Sequence, residues 1–482
     1  MLDSDLDDFD DDDSDKDPDY NNSAFEDDSD PDQIEPEEND DALSGIYYFN
    51  DENINRIDSL ADISHISGSE MSVDSSPPAN ILKTNRYAAQ LLSARTISPH
   101  ARLNKWHDTN ECEIKQLFGL LIWTGLVSLP SYHLYWSLSR IYCTQFSTIM
   151  SRNRFECLMK TLHFSDNTCA DPTNRLYKLG TVINDIMINS NYCMQPEQSM
   201  CIDESLVKFM GRLAFKQYIK NKRDRFGIKE FKLCISPCYT IAMKVYCGKE
   251  VNNMLNVGNV GSNVVMELAE PYLDNGRTIF VDNWYSSVEL AELLQSRNTY
   301  LVGTLRCNRK SNPKEVTKKK FKKREIVSQR SSSNVLVLKW RDKRDLVMIS
   351  SKHDSALTSL KIRGKTVQKP TVVVDNNIGK TSIDLSDQMT SYSNPLRRSQ
   401  KWYRKVALDA LLNISVVNAL VLFQKVTSSK ISITEFRSTL VEQLINKETI
   451  TEIVSQKHTL EKSNRSRCVG CYSKAEHKIV KK

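Results

Sequence analysis

Basic residues are almost missing from the first 41 positions of this 482-residue chain, where Lys16 stands alone against 21 Asp and Glu. Such a segment lacks the apolar content that offsets chain entropy, so residues 1–80 are expected to form an acidic, disordered tail. An N-terminal apolar h-region is also lacking, as is any apolar stretch of membrane-spanning length; a soluble, intracellular protein with no membrane contact is expected. Nor is a disulfide framework recognisable. The 12 cysteines are scattered, most of them inside apolar runs such as Phe231-Lys232-Leu233-Cys234-Ile235, as reduced core thiols are.

The chain beyond the tail has the opposite charge. Taking the tail's 1 basic and 21 acidic residues from the totals of 65 and 61 leaves 64 basic against 40 acidic, a net of +24 behind an overall charge of only +4. A body of that charge favours a polyanionic partner, most commonly nucleic acid. With 40% apolar residues it is long enough for two or three domains with sizeable cores.

Residues 81–195 read as helical. Asp108-Thr109-Asn110-Glu111 has capping-box spacing ahead of Ile114, Leu117, Leu120, Leu121 and Trp123, and Phe155, Leu158, Met159 and Leu162 share one face of a helix starting at Ser151. From Gln198 the period changes to β-rich runs at 200–202, 231–235 and 240–246, then a helix at 263–273 capped by Asn263, a strand at 278–281, a helix at 286–295 and a strand at 301–304. Three strands, helix, strand, helix, strand, with one acid ending the first strand and another ending the fourth, match an α/β ribonuclease H-like core, its first part at 196–305 and its second at 376–430. Residues 306–375 read as an inserted, basic, β-rich domain with strands at 335–340 and 346–349. A long amphipathic helix is expected over 402–423, and 431–482 read as a polar C-terminal tail.

Three aspartate motifs carry the chemistry: Cys201-Ile202-Asp203-Glu204, Phe280-Val281-Asp282-Asn283-Trp284, and Ile383-Asp384-Leu385-Ser386-Asp387-Gln388-Met389. An ionised carboxylate beside a hydrophobic sheet is costly unless it is paired or binds metal. Taken singly, each aspartate would be a turn or cap residue. Taken together on elements in this order, Asp203, Asp282 and Asp384 point to a magnesium or manganese site for phosphodiester chemistry on DNA, in which paired metal ions activate the attacking oxygen and stabilise the leaving one. Asp387, at i+3 from Asp384, serves as a fourth ligand or orients the third.

Two basic clusters are suited to the phosphate backbone: Arg212, Lys216, Lys220, Lys222, Arg223, Arg225 and Lys229 after the first aspartate, and Lys318, Lys319, Lys320, Lys322, Lys323 and Arg324 around Phe321. The second also reads as a nuclear localisation signal, or as a plain solvated loop. Trp284 and Trp402 are candidates for stacking on an unpaired base or for core packing.

Asp203-Glu204 with Phe209-Met210-Gly211-Arg212, Tyr218-Ile219-Lys220-Asn221-Lys222 and Phe226-Gly227-Ile228-Lys229 resembles the block around the first catalytic aspartate of piggyBac transposases. Asp282-Asn283-Trp284-Tyr285-Ser286-Ser287 with Leu301-Val302-Gly303-Thr304-Leu305-Arg306 is similar to the second block, and Asp384 to Met389 with Trp402 to the third. The resemblance covers roughly residues 80–425. It implies a DDE/D transposase of the nucleus, a homodimer with a helical dimerisation or DNA-binding region before the core, which nicks and joins double-stranded DNA at element ends and TTAA targets. A domesticated DNA-binding protein without transposition is the alternative, and a general nuclease of this fold a third. Two departures stand out. Thr381-Ser382-Ile383 replaces the family's glycine pair and valine, where a backbone bend would favour glycine. Of the family's cysteine-rich zinc cross-brace only Cys468 and Cys471 remain, with His458 and His477 as the nearby residues able to complete a four-ligand site.

Overall fold

The run Thr278-Ile279-Phe280-Val281 is buried along its whole length, the pattern of a strand covered on both faces. A computed structural model of the protein describes residues 79–94, 99–171, 173–220, 222, 224–248, 260–322, 324–362, 365–396 and 400–446. The acidic tail, Arg223, Lys323, His458, Cys468, Cys471 and His477 lie outside the described residues.

The strands are β1 (Ser199–Lys208), β2 (Gln217–Tyr218), β3 (Phe226–Ile235), β4 (Tyr239–Val245), β5 (Thr278–Val281), β6 (Tyr300–Thr304), β7 (Ile326–Arg330), β8 (Leu336–Arg341), β9 (Asp345–Ser350), β10 (Leu357–Ile362) and β11 (Lys365–Pro370). The α-helices are α1 (Ala79–Ala94), α2 (Glu111–Leu126), α3 (Phe146–Ile149), α4 (Arg152–Thr161), α5 (Val182–Cys193), α6 (Val260–Ala269), α7 (Val288–Ser296), α8 (Lys314–Thr317), α9 (Thr371–Gly379), α10 (Thr381–Ser391), α11 (Trp402–Asp409), α12 (Ser415–Thr427) and α13 (Ile433–Ile445). Among the described residues, nine strands form one mixed sheet in the order β2-β3-β1-β5-β6-β9-β8-β7, with β4 also pairing β3. Strands β1, β5 and β6 are parallel and the other pairings are antiparallel. The strands between residues 326 and 350 therefore continue the sheet of the aspartate motifs through β6 and β9. A separate hairpin is formed by β10 and β11.

Alternation along the strands divides the interior in two. Cys201, Phe280, Val302 and Leu338 meet Val372 and Val373 of α9 and Ile383 of α10, whereas Ile202, Val281, Leu301 and Val337 join the larger core with α2, α7, α11 and α12.

Helix ends obey local chemistry. The cap of α2 is Asn110, whose side chain accepts from Glu113 N, and not Asp108: the first turn begins at Glu111, so the expected capping box is set two residues too early. Ser151 caps α4 as its position suggests, and Ser287 caps α7. The expected helix at Asn263 begins earlier, at Val260. Residues 431–446 are also more than a polar tail. Ser432 and Glu435 form a full capping box, and α13 packs on α2 with Ile433, Arg437 and Val441 buried.

The long helix runs from Trp402 to Thr427 through a π-helical stretch at Ala410–Ile414. It corrects the expectation that no stretch reaches membrane-spanning length, since it is long and apolar enough by length and composition. Of its most apolar window 72% is buried inside the protein, the setting of a core helix.

Candidate active site

Parallel pairing of β1 with β5 sets Cys201 beside Phe280 and Ile202 beside Val281, so the next residues, Asp203 and Asp282, fall side by side on one face of the sheet. Asp282 follows the end of β5 as expected, but Asp203 does not end its strand, because pairing with β3 carries β1 on to Lys208. That is the face covered by α9 and α10. A side-chain carbon on Gly379, at the junction of the two helices, would lie 2.4 Å from the Phe280 ring, so glycine is required for this close approach. Gly303 plays the same part in β6, where an added carbon would meet the Val281 carbonyl oxygen at 2.5 Å. Cys201 Sγ donates to the Lys380 carbonyl at 3.5 Å, and the first turn of α10 carries Asp384. Lys380 itself is right-handed helical, and neither Thr381 nor Ser382 has a positive φ, so the bend expected to need glycine there is absent.

The carboxyl groups feel one another. Burial, then the negative charges of Glu204 and Asp282, raise Asp203 well above the usual carboxylate range against the opposing Glu204 N–H, 2.8 Å from Oδ1. Asp384 is raised by loss of solvent; Lys380 and Lys222 oppose the rise, and Asp387 and Asp282 add to it. Burial would also raise Glu204, but its hydrogen bond with Asp203, the charges of Lys229 and Lys222, and the Tyr285 hydroxyl at 3.1 Å outweigh that and lower it. Tyr285 is itself pushed up by burial and by Glu204, Asp203 and Asp282. Thr304 Oγ1 donates to Asp282 Oδ1 at 2.8 Å. Asp387 takes a different direction, accepting from Ser205 Oγ at 2.5 Å and from buried Lys232 Nζ at 3.2 Å.

Burial first and neighbouring acids second raise Asp203 and Asp384, so a cation beside them would offset that cost, and an all-oxygen donor set fits a hard divalent ion. Among the described residues no three His, Cys, Asp or Glu side chains are gathered tightly enough to hold a single ion. Magnesium takes one or two carboxylates and completes its shell with water and substrate oxygens, so Asp203 with Asp282 or Asp384 suffices in chemical type.

Two members of the first basic cluster, Lys222 and Lys229, lie beside this site. Lys222 Nζ donates to the Glu204 carbonyl at 3.1 Å, and Lys229 Nζ sits 4.6 Å from the Trp284 ring centre and 4.9 Å from that of Phe231, rings that stack at 14°. Lys216 Nζ donates to the Gly211 carbonyl, and Arg212, Lys220 and Arg225 are exposed. Trp402 packs edge-on against Phe215 and Tyr403 at the margin of the core. In the second cluster Lys318, Lys319, Lys320, Lys322 and Arg324 are exposed around a buried Phe321. That loop is tied down: buried Lys339 donates to the carbonyls of Thr317 and Lys319, and Arg341 to that of Phe321. Sequence reasoning overlooked Lys232, Ser205, Thr304 and Tyr285. Tyr285 and Thr304 lie inside the second block of the resemblance, which was the signal for them; Lys232 and Ser205 had none.

The family model described as Transposase IS4 matches residues 80–420. The chain is 26% identical over 345 residues to the human PiggyBac transposable element-derived protein 3, covering 68% of this chain and 58% of that protein. It is 25% identical over 326 residues to the human PiggyBac transposable element-derived protein 2, covering 62% and 54%. The chain thus spans little more than half the length of these curated relatives. Its fold is similar to a cryo-EM structure of a piggyBac transposase synaptic complex with hairpin DNA, with a TM-score of 0.65 and 25% identity over 81% of this chain and 84% of that one. An α/β protein with a mixed sheet and an acidic site on one face of it is accordingly placed in a known class: the chain belongs to the IS4/piggyBac-type transposase family.

Proposed function

We propose that this chain is a piggyBac-like DDE/D transposase with a ribonuclease H-like core, which cleaves DNA strands and transfers them to TTAA targets with the aid of magnesium or manganese. The observation that carries the reading is the parallel register that sets Asp203 beside Asp282 on the face where α10 brings Asp384. A bound divalent cation would supply charge stabilisation at the reacting phosphate. Asp203 with Asp282 or Asp384 would hold it, the three sharing two ions and the oxygens of water and substrate, and Asp387 orients the helix that carries Asp384. The Tyr285 hydroxyl keeps Glu204 oriented beside Asp203.

Double-stranded DNA is the partner. Arg212, Lys216, Lys220, Lys222, Arg225 and Lys229 line the approach to the acids and engage the backbone without reading sequence. Trp284, which stacks on Phe231 with Lys229 beside its ring, is the candidate for meeting a base at the cut. The loop around Phe321 serves as a second backbone contact and as a nuclear localisation signal. The protein works as a homodimer, with the helical region before β1 contributing to assembly or DNA contact.

A second reading, a transposase-derived DNA-binding protein without transposition, draws on the two human relatives named as element-derived. A nicking assay on a duplex carrying the flanking terminal sequence and TTAA separates the two. Asp282→Asn removes a charge in a nearly isosteric side chain; metal-dependent cleavage is expected to vanish with DNA affinity unchanged. Cleavage that persists in the variant refutes the site assignment, and wild-type inactivity on correctly identified ends selects the second reading.

A further inference from the structure

The last aspartate of the third motif leads inward, to a buried ammonium. Lys232 lies on β3 opposite Asp203, and Ser205 lies on β1 opposite Glu230, so all four residues share the face on which α10 packs. Lys232 and Ser205 both donate to Asp387 Oδ1, at 3.2 and 2.5 Å. Around this one ammonium stand three carboxyl groups, Asp387, Glu230 and Asp409, the last two buried. Asn413 Nδ2 donates to Asp409 Oδ1 at 2.7 Å, and buried Arg437 of α13 donates to Asn413 Oδ1 and to the Leu412 carbonyl, both at 3.1 Å. A charge is removed from water here, directly across the β1–β3 ladder from Asp203, and its direct acceptor is one helical turn from Asp384. Burying an ion pair is weak support for stability, whereas holding a fixed geometry is a use such pairs do serve.

We propose that Lys232, assisted by Ser205, is a positioning residue: by fixing Asp387 it fixes the first turn of α10 and keeps Asp384 on the face where Asp203 and Asp282 emerge. It touches neither cation nor DNA. The chain from Arg437 through Asn413 and Asp409 supports it from behind, so α13 contributes to the same placement. This inference rests on the reading of the acids as a cation site.

The test uses the full chain with Lys232→Met, Lys232→Arg and Ser205→Ala. Three quantities are measured: hydrogen exchange of the α10 amides relative to α7, manganese affinity by electron paramagnetic resonance, and affinity for a random duplex at fixed salt. Lys232→Met and Ser205→Ala are expected to speed α10 exchange and to weaken manganese binding about tenfold, the scale of outer-shell substitutions at metal sites, with DNA affinity unchanged. Lys232→Arg retains a donor and is expected to restore much of the manganese affinity. If Lys232→Met does not fold, Ser205→Ala decides. Unchanged α10 exchange overturns the inference, as does faster exchange with manganese affinity within about twofold of wild type, because the clamp would then be structural only. A wild type that binds no manganese removes the cation reading itself, and α10 exchange then decides the clamp alone.

Discussion

Glu230 offers a quantitative test of how the buried charges under the sheet are balanced. Its side chain is fully buried, neither carboxyl oxygen has a hydrogen-bond partner among the described residues, and burial pushes its pKa up to about 8 even though Lys232 opposes the rise. Asp409 and Asp387 add to the shift. At pH 7 Glu230 is therefore mostly protonated, and the direct counter-ion of Lys232 is Asp387. A carboxyl whose folded pKa lies above its unfolded value of 4.5 costs nothing below that value. Its cost grows as pH rises from about 4.5 towards 8 and is fully present above 8. At about 1.4 kcal/mol per unit the ceiling is roughly 5 kcal/mol. Glu230→Gln, an isosteric stand-in for the neutral acid, removes the titration. Urea unfolding between pH 5 and 9 should show the variant close to wild type at pH 5 and more stable by about 2 to 5 kcal/mol at pH 9. Parallel stability curves for the two proteins would refute the reasoning, since Glu230 would then be ionised and paired at all these pH values.

The remaining predictions concern packing and the basic surfaces. Gly303→Ala places a carbon 2.5 Å from the Val281 carbonyl oxygen, so β6 must shift next to Asp282; a stability loss of about 1–3 kcal/mol is expected in denaturant unfolding. Lys339→Met strands the Thr317 and Lys319 carbonyls and Asp345, and limited trypsin digestion should then cut faster at Lys318–Lys320, while an unchanged rate would deny the anchoring role. Removing residues 1–41 takes away 21 acidic residues and is expected to strengthen non-specific duplex binding at fixed salt, as read by fluorescence anisotropy; equal or weaker binding would show that the tail does not compete with DNA.

Local chemistry in the sequence was enough for much of this protein. The apolar run at Thr278–Val281 reads as a strand buried on both faces, Ser151 could be read as a cap, and the three aspartates could be singled out because charge beside such apolar runs, or opening a helix next to them, demands a reason. Apart from the two-residue edge strand β2, which no apolar run announces, the strand and helix order through β6 came from the same periodicity, and the motifs carried the family resemblance. Long-range pairing could not be read. Asp203 and Asp282 are 79 residues apart, and only the register Ile202 to Val281 makes them neighbours. The antiparallel pairing of β6 with β9, which carries residues 326–350 into the same sheet, has no local signal, because strand partners are chosen by the packed whole. Lys232 in an apolar run reads as an oddity of one strand until α10 folds over it and supplies Asp387, 155 residues further on. Likewise α13 looks polar in isolation and owes its place to the faces of α2 and the long helix. Tertiary structure alone decided these points, because an isolated charge or a weakly apolar helix acquires its energetic meaning from the groups that exclude water around it.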